Sequence, residues 1–463
     1  MARKLPLQRL KQLLPCANSP LPFWTAGKVL SSQGLSIEVQ GLILPVGTRC
    51  EILGHDKNIL AEVIGFNRSS LRLMAIDRIS GLMPGTLVIE QKNYQGINVG
   101  IHLLGRVIDG LGNPLDRLGK IEPGHYLSTS EQWAVINPLN RKPVCETFDV
   151  GVRLINGLLT VGKGQRLGIF AGSGVGKSVL LGMMAKFSAS DVVVVGLIGE
   201  RGREVKEFIE SILGEKGLAK SIVVASPADD PPLMRIQGAH TATAIAEYFR
   251  AQGKQVLLIM DSLTRYAQAY REVALAGGEA PATKGYPPSV FAKLPQLVER
   301  SGNGEAGGGA ITAFYTVLAE GDDQQDPVVD ASRAILDGHI VLSRSLAESG
   351  IYPAIDIEAS ISRVMSSVVD KEWMQSAIEL KKNYSLYKQN EDLIRLNAYV
   401  SGTDLQLDIA IQMYPKIMQY LTQEMSESIS IKTSFDKLKE IRNTIEQLKK
   451  AGEQKPGFAV KKA

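Results

Sequence analysis

The sequence predicts an α/β protein in three parts: an all-β N-terminal domain, a central doubly wound domain with a mostly parallel sheet, and a helical C-terminal domain. Three observations predict it. Residues 22–92 alternate short apolar runs with turn residues. Residues 151–368 alternate continuous Val- and Ile-rich runs with helical stretches, as buried parallel strands and their crossovers require. Beyond about residue 370, Lys, Gln, Leu and Tyr dominate in helical patterns. At 463 residues the chain also exceeds what one hydrophobic core supports.

The elements follow in order. No acidic residue precedes Glu38, whereas Arg3, Lys4, Arg9, Lys11 and Lys28 do. Within segment 1–21, Leu7, Leu10 and Leu14 share one helical face with Leu13 beside them. That pattern suits a helix that binds a partner or a membrane surface, or else a frayed terminus. In 22–92, Leu35, Ile37 and Val39 alternate with Ser36 and Glu38, the period of a half-buried strand. Runs at 49–53, 60–64, 71–75 and 87–90 follow, separated by Gly41, Pro45, Gly47, Gly65 and Pro84-Gly85. Short strands at this spacing predict a small barrel or sandwich with a structural job. Residues 93–150 are rich in turn signals such as Gly112-Asn113-Pro114 and read as a connector to the central domain, taken as 93–369. Its strands are expected at 165–170, 191–198, 221–226, 255–260, 310–317 and 339–342, with helices at 179–185, 205–213 and 242–252. The helical domain spans 370–450, where Leu438, Ile441, Ile445 and Leu448 mark a last amphipathic helix. A Gly/Pro/Lys-rich tail, 451–463, is expected to be disordered.

One stretch identifies the chemistry. Ala171-Gly172-Ser173-Gly174-Val175-Gly176-Lys177-Ser178 sits between an expected strand and an expected helix. Its glycines bring backbone N–H groups close to phosphates, Lys177 reaches the β/γ-phosphates, and the Ser178 hydroxyl can ligate Mg²⁺. The strict phosphate-loop pattern begins with glycine, and here Ala171 stands in its place. Such a loop needs an acidic partner, and the apolar run 256–260 ends in Asp261 at the C-terminal end of a strand. Hydrolysis needs a group that orients or deprotonates water, and the run 191–198 leads to Glu200 at the same crevice. The alternative for Glu200 is a surface carboxylate paired with Arg201 or Arg203. An arginine from a neighbouring molecule can stabilise charge in phosphoryl transfer. Arg201, Arg265, Arg333, Arg344 and Arg363 are all candidates, and the spacing alone does not choose among them.

Composition excludes other classes. No apolar run reaches the ~20 residues of a membrane helix, and the N-terminus lacks a signal-peptide core. Cys16, Cys50 and Cys145 show no metal-ligand or disulfide spacing, which fits a reducing compartment. A net charge of +4 and the lack of a basic-aromatic surface in the β domain argue against nucleic acid.

Together, the loop at 172–178, Gly199-Glu200-Arg201-Gly202-Arg203-Glu204, the run ending in Asp261, and Pro353-Ala354-Ile355-Asp356 continuing to Arg363 resemble the rotary ATPase α/β-subunit superfamily. Within it, 282–294 and 314–327, which contains Asp322-Asp323-Gln324-Gln325-Asp326-Pro327, are similar to the flagellum-specific type III export ATPases. The resemblance implies an N-terminal barrel, a RecA/F1-like ATPase domain and a C-terminal helical domain. It implies nucleotide binding by Gly172, Ser173, Gly174, Val175, Gly176, Lys177, Ser178, Arg201, Arg265 and Tyr352, with Tyr352 packing on adenine. It implies Mg²⁺ at Ser178 and Asp261, and catalysis by Glu200, Lys177 and Arg363, the last as a finger inserted by a neighbour.

The resemblance also implies a homohexamer hydrolysing ATP at its subunit interfaces, which one chain carrying both kinds of residue permits. Its expected partners are a regulatory export protein at the N-terminus, a stalk-like export protein at the loop 279–288, chaperone–substrate complexes and the membrane export gate. Its expected place is the cytoplasm, peripheral to the inner membrane face. The alternatives are an injectisome export ATPase, a catalytic subunit of a rotary proton-translocating ATP synthase, a non-catalytic nucleotide-binding ring subunit, and a nucleic-acid translocase.

Overall fold

The computed structural model describes residues 25–55, 57–92, 96–127, 136–305, 307–318 and 326–453. The basic segment 1–21 and the tail from 454 onward lie outside the described residues, as does the Asp322–Gln325 run. The chain folds as two compact units, residues 1–94 and 95–463.

The first unit is a closed six-stranded antiparallel barrel. Its strands are β1 (Ala26–Gln33), β2 (Ser36–Gln40), β3 (Arg49–Ile52), β4 (Ile59–Phe66), β5 (Ser70–Ala75) and β6 (Leu87–Glu90). They run in the order β1-β2-β5-β4-β3-β6, and β6 pairs back onto β1. Closure leaves no strand edge unpaired. Ile37, Val39, Cys50, Ile52, Val63, Leu73 and Val88 fill the interior, so Ile37 and Val39 of the alternation read at 35–39 point inward, whereas Leu35 lies exposed in the turn before β2. β1 was not foreseen, because Lys28, Ser31 and Ser32 interrupt its apolar period. Gly27 explains its fit: a Cβ there would stand 2.7 Å from Val39 and 2.9 Å from the Gln40 carbonyl.

The second unit is built on a nine-stranded sheet. Its strands are β7 (Val107–Ile108), β8 (Arg166–Ala171), β9 (Val192–Ile198), β10 (Ser221–Ser226), β11 (Gln255–Asp261), β12 (Ala310–Leu318), β13 (Gly338–Leu342) and β14 (Ile355–Ser362), with the short pair Gly302–Asn303 lying against β12. The order β14-β13-β8-β12-β11-β9-β10-β7 is parallel throughout except that β14 runs antiparallel to β13. Five strands lie within a residue or two of their expected bounds and β10 lies on them. β7 corrects the reading of 93–150 as a pure connector. β14 was read as a motif and not as a strand, because Asp356, Glu358 and the serines dilute its apolar residues; Ile355 and Ile357 face the core.

The helices of this unit are α1 (Arg153–Leu158), α2 (Lys177–Phe187), α3 (Pro232–Ala251), α4 (Leu263–Gly277), α5 (Pro288–Val298) and α6 (Pro327–Ile335). The helix expected at 242–252 is the second half of α3. Nearly every residue of α3 is buried, which erases the one-sided period that sequence reading relies on. The helix expected at 205–213 is present, as an α-helical segment, Gly202–Glu207, that widens into π-helix over Phe208–Leu213.

Three helices, α7 (Lys371–Gln389), α8 (Leu405–Leu421) and α9 (Ile431–Glu453), complete the unit. Leu438, Ile441 and Ile445 are buried and Leu448 packs beside them, in the same apolar cluster as the sheet. α9 continues through Glu453, past the expected end at 450. Two polar residues near α1 tie these helices down. Buried Arg153 donates through Nε to the Tyr420 carbonyl at 2.7 Å and through Nη2 to that of Gln419 at 3.0 Å, satisfying the end of α8. Asp149 accepts from the Ile431 N–H at 2.8 Å at the start of α9.

Candidate functional site

Parallel strands deliver their following loops to one edge of a sheet, and the site forms there. β8 ends at Ala171, which is buried and paired in register with Leu318. A strand residue needs no special backbone freedom, so Ala171 is accommodated where the phosphate-loop pattern has glycine. The freedom is needed further on: Gly174 has φ 79° and Gly176 φ 84°, both in the left-handed region. Lys177 then opens α2, whose first turn carries Ser178 and leaves free N–H groups facing the loop.

Lys177, Glu200 and Asp261 meet at this edge. Glu200 comes two residues after β9, and Asp261 is the last residue of β11. Lys177 Nζ lies 2.6 Å from Asp261 Oδ1 and 3.3 Å from Glu200 Oε1. Asp261 Oδ1 also accepts from Thr316 Oγ1 at 2.6 Å, from the neighbouring strand β12. The alternative of a surface Glu200 paired with Arg201 or Arg203 does not hold: its side chain is 12% exposed and turned to Lys177.

The electrostatics of the cluster are set by burial and mutual charge. Burial alone would lower the Lys177 ammonium, but Asp261 and then Glu200 outweigh it and hold its pKa above the ordinary value. Burial pushes the Glu200 carboxyl up, the Asp261 charge adds to that, and Lys177 opposes both; the result is about 7. A carboxyl poised there can exchange a proton near neutral pH.

The two neighbouring arginines differ. Arg201 is 80% exposed and leans on Glu204 at 3.8 Å, so it is not drawn into the cluster. Arg265 sits against the Glu200 turn: a Cβ on Gly199 would stand 2.7 Å from Arg265 Cβ. Arg265 donates through Nη1 to Gln268 at 2.8 Å, while its buried Nε has no acceptor. An unanswered cationic donor beside a phosphate loop fits an anionic ligand. Metal chemistry at the site would rest on Ser178 and Asp261. Among the described residues no group of three or more His, Cys, Asp or Glu side chains could hold an ion alone. A hydroxyl and one carboxylate suit a hard cation that brings phosphate and water ligands with it.

Tyr352 lies over the loop, its ring carbons 3.2 and 3.3 Å from where a Gly176 Cβ would be. It is 44% exposed, which removes the reading of a buried core tyrosine and leaves a ring face available beside the phosphate loop. The expected stalk-facing loop 279–288 is braced by Glu279, which accepts from the Ser289 N–H at 3.1 Å at the head of α5.

Arg363 is elsewhere. It follows β14, whose Ser362 pairs with Gly338 at the beginning of β13. That is the N-terminal edge of the parallel strands, opposite the phosphate loop. β8 has six residues, so the two edges are about 20 Å apart at ~3.3 Å per residue. The exposed Arg363 guanidinium donates to the carbonyls of Leu336 at 3.3 Å and Arg333 at 3.2 Å. The alternative of an intrachain salt bridge is not realised among the described residues.

Sequence reading missed Thr316, Gln268 and Gln423, whose N–H donates to the Tyr352 carbonyl at 2.9 Å. Thr316 left one usable trace, a threonine near the C-terminal end of a mostly apolar strand beside the expected acidic anchor.

The chain is similar to known proteins over most of its length. Residues 151–362 match the ATP synthase alpha/beta family, nucleotide-binding domain, and residues 369–440 match the T3SS EscN ATPase C-terminal domain. The chain is 56% identical over 440 residues to the flagellum-specific ATP synthase of Pseudomonas aeruginosa, covering 93% of this chain and 96% of that one. It is 54% identical to that of Salmonella typhimurium, covering 90% and 94%. Among solved structures, the assembled ATPase EscN of the enteropathogenic E. coli type III secretion system superposes with TM-score 0.84 at 44% identity, over 90% of this chain and 99% of that chain. EscN in complex with its central stalk EscO gives 0.82 at 43%, over the same shares.

Proposed function

The chain belongs to the flagellum-specific ATP synthases of the ATP synthase alpha/beta family, and from that premise we propose how its residues divide the work of ATP hydrolysis in flagellar protein export. It is an ATPase of the type III export class. The observation that carries the mechanism is the cluster of Lys177, Glu200 and Asp261 at the mouth of the phosphate loop.

ATP phosphates take the N–H groups of residues 172–178, and Lys177 turns from its carboxylates to the β/γ-phosphates. Glu200, freed of that ion pair, faces the attacking water as the polarising base. Arg265 supplies its unanswered donor to the phosphate side, and Arg201, on the exposed rim, approaches only as the site closes. Tyr352 packs on adenine. Ser178 and Asp261 would hold Mg²⁺, which supplies neutralisation of phosphate charge when bound. The partner subunit's Arg363 completes the site, since within one chain it lies at the far edge of the sheet. A homohexamer with sites between subunits is the arrangement we favour, and the assembled EscN structure supports it by likeness.

Turnover would then drive subunit rearrangement that frees export substrates from chaperones and starts their passage at the membrane gate. A stalk protein would meet the loop 279–288; that such a partner exists is supported, by likeness, by the EscN–EscO complex. Segment 1–21 would meet the regulatory export protein and the inner membrane face, from a cytoplasmic position. Among the described residues no helix is long and apolar enough to cross a membrane.

The test is complementation in a flagellated bacterium lacking its export ATPase. The chain should restore swimming, and the Lys177→Ala chain should not. Purified chain that hydrolyses ATP alone but restores no motility would reassign it to another secretion machine. Inactivity without a second subunit type would point to a rotary synthase.

A further inference from the structure

Gln423 lies just beyond α8, is buried, and engages both ends of its side-chain amide and its backbone N–H. Its side-chain Oε1 accepts from the Arg153 N–H at 2.7 Å. Its Nε2 donates to the carbonyls of Gly151 at 3.0 Å and Glu427 at 2.8 Å. Its backbone N–H donates to the Tyr352 carbonyl at 2.9 Å. One residue therefore fastens the chain at the head of α1, the turn after α8 and the tyrosine over the phosphate loop. Arg153 reinforces the same joint from the other side, since its guanidinium closes the carbonyls of α8.

We propose that Gln423 is a positioning residue that sets Tyr352 over the phosphate loop and couples the placement of α8 to recognition of the nucleotide base. The proposal rests on the reading of Tyr352 as the base-packing residue. Phosphate recognition is independent of it, because the loop at 172–178 is held by β8 and α2, and the hydrogen bonds of Gln423 go to Arg153, Gly151, Glu427 and Tyr352 instead. Loss of Gln423 should therefore weaken binding of the base and spare binding of the phosphates.

The experiment compares inhibition of ATP turnover by ADP and by inorganic tripolyphosphate, which has no base. Gln423→Ala keeps the backbone N–H to Tyr352 but removes the three side-chain hydrogen bonds that hold that backbone in place; KM for ATP and the inhibition constant of ADP should rise about three- to tenfold as the Tyr352 ring shifts from the loop. The tripolyphosphate constant and kcat should stay within about twofold. A general folding defect would move both inhibitors and kcat together and overturns the proposal. If Gln423→Ala does not fold, Gln423→Glu carries the test. Its carboxylate keeps the acceptor toward Arg153 but opposes two carbonyls, so the ADP-to-tripolyphosphate ratio should shift the same way. An unchanged ratio overturns the proposal. Tyr352→Ala separates the two readings. If it leaves the ratio unchanged, the base-packing reading fails; if it shifts the ratio and the Gln423 variants do not, only the coupling fails.

Discussion

Lys177 Nζ and Asp261 Oδ1 stand 2.6 Å apart, so the lysine that should greet a phosphate is already engaged by a carboxylate. Glu200 shares the same ammonium at 3.3 Å. Nucleotide entry must exchange these contacts for phosphate oxygens, and the ease of that exchange is tunable by the residues around it.

Removing the ammonium has two effects. Lys177→Ala should abolish ATP turnover in a steady-state assay. It also leaves two buried carboxylates without their cation, a change of about 3–5 kcal/mol for a broken buried pair, softened here as Glu200 takes up a proton. Its unfolding midpoint should therefore drop more at pH 8 than at pH 5.

Glu200 sets the pH dependence. Its folded pKa, about 7, is above the ordinary 4.5, with burial the first cause and Asp261 the second. Between these values the folded state binds more protons than the unfolded one, so this group's contribution to stability declines as pH rises through that window. Above about 7 it is ionised and able to act as a base. In kcat/KM against pH, which reports the free enzyme, the rise should fall near pH 7. Glu200→Gln should lose about 10²–10⁴ in turnover, retain nucleotide binding, and gain in melting temperature relative to the parent between pH 5 and 8. Parent-like turnover in this variant would remove Glu200 from the mechanism.

Thr316→Val keeps the shape of the side chain and deletes its 2.6 Å bond to Asp261. Stability should fall by about 1 kcal/mol by denaturant titration. Turnover should fall several-fold, because the carboxylate loses the contact that fixes its direction.

Arg363→Ala should lose about 10³–10⁵ in turnover while nucleotide binding and melting temperature stay near the parent's. Its intrachain contacts are two carbonyl bonds on an exposed side chain, which contribute little to the fold. Mixing Arg363→Ala with Glu200→Gln chains should restore part of the activity. No recovery on mixing, in a preparation shown to co-assemble, would argue against sites shared between chains.

Much of this was legible in the sequence. Continuous apolar runs marked the central strands because parallel strands are buried on both faces, and the phosphate loop stood out because its glycines serve backbone positions that other residues strain. Glu200 and Asp261 could be placed because both follow such runs. What escaped had physical reasons. β1 and β14 carry too many polar residues to show a period, one being held by a close backbone approach at Gly27 and the other being an antiparallel edge. The first half of α3 is buried all round and shows no face. Thr316 and Gln423 act through partners 55 and 71 residues away in the chain, Asp261 and Tyr352, and no local spacing encodes such pairs. The side of the sheet on which Arg363 emerges depended on the direction of β14, which only the strand pairing reveals.

The placement of Lys177 and Arg363 on opposite edges of one sheet has a consequence for regulation. On the shared-site reading, a dispersed chain is catalytically silent whatever the ATP level, because it holds two unlike halves that cannot meet. A two-fold pair does not rescue it, since facing like edges brings like halves together; only head-to-tail contact does. Specific activity should then climb steeply with protein concentration, and any surface that gathers the chains would act as the switch, with mass action in place of a dedicated inhibitor.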